Sequence, residues 1–95
     1  MIETVAASAT LQTLGATGKK GDRLDMLLIV PATVDPGNVI IKDGTNAAVT
    51  VFAGGTGSVP SLIPFPVVIG EQSLQGAWQI TTGTNVSVVA MGNFT

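Results

Sequence analysis

Short apolar segments recur along this chain at intervals of roughly ten residues, with glycine- and proline-rich turn chemistry between them, and none reads as a long helix. Leu24–Val30 is bounded by Pro31, and Asp35-Pro36-Gly37-Asn38 is a turn in which Pro presets φ and Gly tolerates positive φ. Val39–Lys42 and Ala48–Ala53 flank Asp43-Gly44-Thr45-Asn46, which reads as a β-hairpin. Gly76–Thr82 places Trp78 and Ile80 on one face, Gly83-Thr84-Asn85 turns the chain, and Val86–Met91 forms the last strand. These segments predict an all-β chain: a single compact β-sandwich or jelly roll of about seven or eight short strands. The long loops at residues 15–23 and 54–61 suit Greek-key or jelly-roll crossings.

Two segments depart from simple alternation. In Leu24–Val30, both the Leu24, Met26, Leu28, Val30 face and the Asp25, Leu27, Ile29 face are largely apolar, the pattern of a strand covered on two sides. Pro60, Pro64 and Pro66 bracket Leu62, Ile63 and Phe65 in an extended apolar stretch that cannot be a central strand. Val67–Ile69 is expected to pair only briefly before Gly70.

The first stretch, Thr4–Leu14, alternates with period two and favours a strand. The loop Gly15–Asp22 holds two of the four basic residues and can act as a hinge. The chain therefore divides into residues 1–22, a strand or arm with its Gly/Lys loop, and residues 23–95, the sandwich. The expectation is that Met1–Leu14, with Val5 and Leu11, is an arm or edge strand that reaches a neighbouring chain, the alternative being a strand folded back within its own sandwich.

Composition narrows function by exclusion. The 95 residues include no Cys, His or Tyr, which removes thiolate chemistry, the commonest zinc ligand and the commonest general base. A net charge of −2 has the wrong sign for phosphate-driven nucleic-acid binding. The longest apolar runs fall far short of the ~18 residues of a spanning helix, and Met1-Ile2-Glu3-Thr4 carries an acid where a signal peptide needs a base. The expectation is no membrane and no nucleic acid. Charged residues make up 11% and hydrophobic ones 45%, so a domain this small is expected to bury part of its surface against other chains.

No motif reverses those exclusions. Gly54-Gly55-Thr56-Gly57 is followed by Ser58-Val59-Pro60, so no helix can open there to hold a pyrophosphate. Gly15-Ala16-Thr17-Gly18-Lys19-Lys20 is too short for a P-loop and puts Lys20 where a magnesium-holding hydroxyl belongs. The acids Asp22, Asp25 and Asp43 match no calcium loop and read as turn and strand-edge charges. No catalytic, cofactor-binding or metal-ligating residue is predicted, and no cofactor; the chain is expected not to be an enzyme. Trp78, the sole tryptophan, fits a core residue, an interface anchor or a sugar platform.

Four strings carry a resemblance: Lys42-Asp43-Gly44, Thr50–Gly55, Leu62-Ile63-Pro64-Phe65 and Gly76–Gly83. In order and texture the chain, over roughly residues 24–94, resembles the small capsid-decoration (cement) proteins of tailed bacteriophages. The resemblance implies a structural virion protein on the outer surface of an icosahedral head, made in the host cytoplasm. Its partner would be the major capsid protein, whose subunits it bridges and stabilises. Self-association is also expected, a trimer favoured over a dimer. Interface candidates are Leu62, Ile63, Phe65, Trp78, Val5 and Leu11. A tail-fibre or baseplate module and a carbohydrate-binding β-sandwich remain alternatives.

Overall fold

The computed structural model describes residues 1–95. It contains eight strands and no helix: β1 (Ile2–Val5), β2 (Gln12–Thr13), β3 (Arg23–Pro31), β4 (Val39–Asp43), β5 (Val49–Phe52), β6 (Phe65–Gln72), β7 (Trp78–Thr82) and β8 (Val86–Asn93). They form two antiparallel four-stranded sheets, ordered β1-β8-β3-β6 and β2-β7-β4-β5. The pairings β1·β8, β2·β7, β3·β6 and β4·β5 are all antiparallel. The chain is thus a long two-stranded ribbon, closed at the β4–β5 turn and rolled into two sheets. That winding is the jelly roll.

The turn at the ribbon's tip is closed by its own backbone and held against the β6–β7 loop, whose Leu74 and Gln75 N–H groups donate to the Asp43 carboxylate. Asn46 N–H donates to the Asp43 carbonyl at 2.9 Å, and Gly44 adopts a φ of 54°. A Cβ on Gly44 would lie 2.2 Å from the Gln75 carbonyl oxygen, so only glycine fits.

Thirteen buried side chains fill the space between the sheets, among them Val5, Leu27, Ile29, Ile41, Ile80 and Val88. Strand β3 corrects the expectation of plain alternation. A bulge between Leu24 and Met26 inserts an extra residue, so Leu24 faces the core together with Leu27 and Ile29. Met26, Leu28 and Val30 are left on the other face, which no strand covers.

The N-terminal segment is also corrected. It is not one strand and not an arm: β1 pairs with β8 and β2 with β7 inside the same sandwich, and Val5 and Leu14 are fully buried. Between them Ser8 and Leu11 take positive φ values of 59° and 46°, which bend the chain from one sheet to the other. The expected division at residue 22 gives way to one sandwich that includes β1 and β2 as edge strands. Strand β6 runs to eight residues rather than three, because Pro66 lies on an edge strand where a missing donor is tolerated.

Candidate docking face

The register of the first sheet lines up two rows on its outer face. One row runs Ile2, Met91, Met26, Val68 across β1, β8, β3 and β6. The next runs Thr4, Val89, Leu28, Pro66, and Val30 continues beyond it beside Ser87. The central side chains are half-buried, whereas Ile2 is 70% and Val68 78% exposed. At strand and residue spacings of about 4.8 and 3.4 Å, this patch covers roughly 300 Å², a size that on a small monomer is often functional.

The outer face of the second sheet is unlike it. There the rows are Thr13, Gln79, Lys42 and then Thr81, Ile40, Thr50. Only Ile40 among these six is apolar, which suits a face left to water.

A second apolar feature lies on the flank where edge strands β5 and β6 meet. The Phe52 and Phe65 rings join the two sheets edge to face, with centroids 5.3 Å apart. Beside them opens a pocket of about 430 Å³ walled by Phe52, Ser58, Val59, Pro60, Ile63 and Phe65. Ser58 Oγ is buried there without a hydrogen-bond partner.

The opposite flank, β1 beside β2, is closed by polar ties. Glu3 accepts from Gln12 Nε2 at 3.2 Å and from Gly15 N–H at 2.8 Å. Thr82 Oγ1 donates to the Ala6 carbonyl and accepts from Ala9 N–H.

The structure separates the interface candidates. Leu62, Ile63 and Leu11 are exposed, and Phe65 is half-buried at the pocket. Val5 and Trp78 are core residues with no surface to offer a partner or a sugar; Trp78 is 5% exposed and donates from Nε1 to the Asp22 carbonyl at 3.0 Å. Met26, Leu28, Val68, Val89 and Met91 were missed. The two-sided hydrophobicity of Leu24–Val30 is the signal for Met26 and Leu28, and it reads in sequence as a strand covered on two sides.

Asp22 is likewise not the solvated turn acid its neighbours suggest. It is buried, and its carboxylate accepts from Lys19 N–H, Thr95 N–H and Thr95 Oγ1. Burial pushes its carboxyl pKa up, but the hydrogen bonds from Thr95 and Lys19 and the Lys19 charge outweigh it, leaving the group below its usual value. The carboxylate ties the Gly/Lys loop to the chain's last residue.

Both glycine loops have their amides engaged. Gly54, Gly55 and Gly57 donate to Asn38 Oδ1, the Pro36 carbonyl and Asp35 Oδ1. Thr17 and Gly18 donate to the Thr95 carbonyl. No three or more acids come together in a group that could hold a metal ion. No family model matches the chain, and no curated protein or solved structure matches it.

Proposed function

We propose that this chain is a structural docking module whose apolar β1-β8-β3-β6 face is covered by the subunits of a larger protein assembly. The assembly that the sequence resemblance points to is the outer surface of an icosahedral phage head, with the major capsid protein as partner. There the chain bridges neighbouring subunits, so that dissociating the shell also breaks its contacts. One observation carries the reading: one outer face is apolar across all four strands while the other is polar. A jelly roll by itself supports many functions and does not choose among them.

Fractionation of the particles made alongside the chain is the test. The expected result is recovery with DNA-filled heads, lost when Met26→Gln and Val89→Thr are combined. Recovery with tails, or with no particle, would overturn the reading.

A further inference from the structure

Of the four edge strands, β6 is the longest and the least defended. The β1 edge is engaged already, since the Thr4 carbonyl accepts from Gln12 Nε2 at 3.4 Å. Strand β2 has two residues and β5 four, against eight in β6. Natural edges are commonly protected by lysine. Strand β6 carries none, and its one charge is Glu71. At its middle sits Val68, the most exposed of the large apolar side chains.

The backbone groups that β6 offers follow from the ladder on its other side. Ala32 N–H donates to the Asn85 carbonyl at 2.8 Å, so the even-numbered residues at that end of β3 bond toward β8. Leu27 and Ile29 therefore bond toward β6, to their register partners Val67 and Phe65. Pro66 fits between those two because it has no N–H to give. Val68 and Pro66 turn the other way. The open edge thus offers the Val68 N–H and C=O and the Pro66 C=O.

Pro66 is the one defence of this edge, because a strand laid beside it loses a bond where its own carbonyl faces the proline. Strand β6 of a second copy avoids that loss. Antiparallel two-fold pairing centred on Val68 sets Pro66 opposite Gly70 of the other copy, and the Gly70 carbonyl already accepts from Arg23 Nη2 at 3.3 Å. The same register puts Glu71 opposite Phe65, about six residues or roughly 20 Å from the other copy's Glu71, so the two acids do not oppose each other.

We infer that two copies of this chain pair through their β6 edges about a two-fold axis at Val68, joining two β1-β8-β3-β6 sheets into one continuous sheet. Directly opposed residues share a face, so the row Ile2, Met91, Met26, Val68 runs on into its copy. One chain's apolar patch of roughly 300 Å² is well short of the roughly 800 Å² that each partner buries in a stable complex. Pairing doubles it to roughly 600 Å². The pairing needs no shell; the gain in docking area rests on the proposed docking to one.

The chain has no cysteine, so Val68→Cys introduces a single thiol on the axis. Opposed Cα atoms in such a pair are about 5.5 Å apart, within the range that a disulfide spans. Under mild oxidation, Val68→Cys should form a covalent dimer at least about ten times faster than two controls. One is Ile2→Cys, a comparably exposed thiol at the far edge of the same row; the other is Pro66→Cys, off the axis on the same strand. Val68→Lys sets two ammonium groups against each other and should turn a sedimenting dimer into a monomer with its far-ultraviolet dichroism unchanged. Met26→Gln with Val89→Thr, which should abolish docking on heads, leaves the β6 edge untouched and should leave the dimer intact. Loss of docking and loss of pairing are thereby told apart.

Equal oxidation rates for the three thiols would overturn the inference. So would a native chain that sediments as a monomer into the millimolar range, or a dimer that survives Val68→Lys.

Discussion

The two sheets of this jelly roll share a core but present different surfaces. On the β2-β7-β4-β5 sheet, inward Ile41 and Ile80 alternate with outward Lys42, Gln79 and Thr81. On the β1-β8-β3-β6 sheet, inward Leu27, Ile29 and Val88 alternate with outward Met26, Leu28 and Val89, which are also apolar. Core packing cannot account for the second set, because those side chains point away from it. The difference separates residues that hold the fold from residues that the fold holds out.

Strand β3 offers the sharpest break in that comparison, since it carries both sets. Ile29→Ala should cost about 2–5 kcal/mol through lost burial and a cavity. Leu28→Ala, one residue away on the outer face, should cost under about 1 kcal/mol. Urea unfolding measures both, and equal losses would show that the outer face is packed after all.

The Asp22 tie gives the next effect. Its pKa is lower folded than unfolded, so its contribution is whole above about pH 4 and is lost as pH falls through the lowered value. Asp22→Asn should cost about 1–3 kcal/mol at neutral pH and flatten the acid limb of the stability profile. Thermal melts from pH 7 down to pH 2 would read both changes, and an unaltered acid limb would assign it to other carboxylates.

Smaller shifts separate docking from folding. Met26→Gln with Val89→Thr should move stability by less than about 1 kcal/mol while raising solubility, measured as the protein concentration at precipitation. Smallest of all, Ser58→Ala removes an unpaired buried hydroxyl and should raise stability by up to about 1 kcal/mol in urea titration of the isolated chain.

The sandwich was legible because its turns are chemically explicit. Asp43-Gly44-Thr45-Asn46 marks a hairpin by composition, and Trp78 and Ile80 mark a core face by parity. The bend between β1 and β2 was not legible. It rests on Ser8 and Leu11 at positive φ, and neither residue type signals a left-handed backbone. Nor does sequence show the bulge in β3, which puts Leu24 and Met26 on opposite faces without a glycine or proline in that strand's first half. The docking face was half legible: the excess of apolar residues in β3 was visible, but which face lacked cover depends on the partner strands. Asp22 was hidden because its amide and hydroxyl donors come from Thr95, at the far end of the sequence.

The ribbon winding also sets a clock. Ile2 pairs with Met91 and Val5 with Val88, so the first strand has no partner until the last has been synthesised. At about 5–20 residues per second, that wait lasts roughly 4–18 s. During it the β4–β5 hairpin is the one pairing between consecutive strands, and β3·β6, β2·β7 and β4·β7 must each close a longer loop. Leu24–Val30 gains its β6 neighbour only after residue 72 and its β8 neighbour last of all, so the most apolar strand waits longest for its full set of partners.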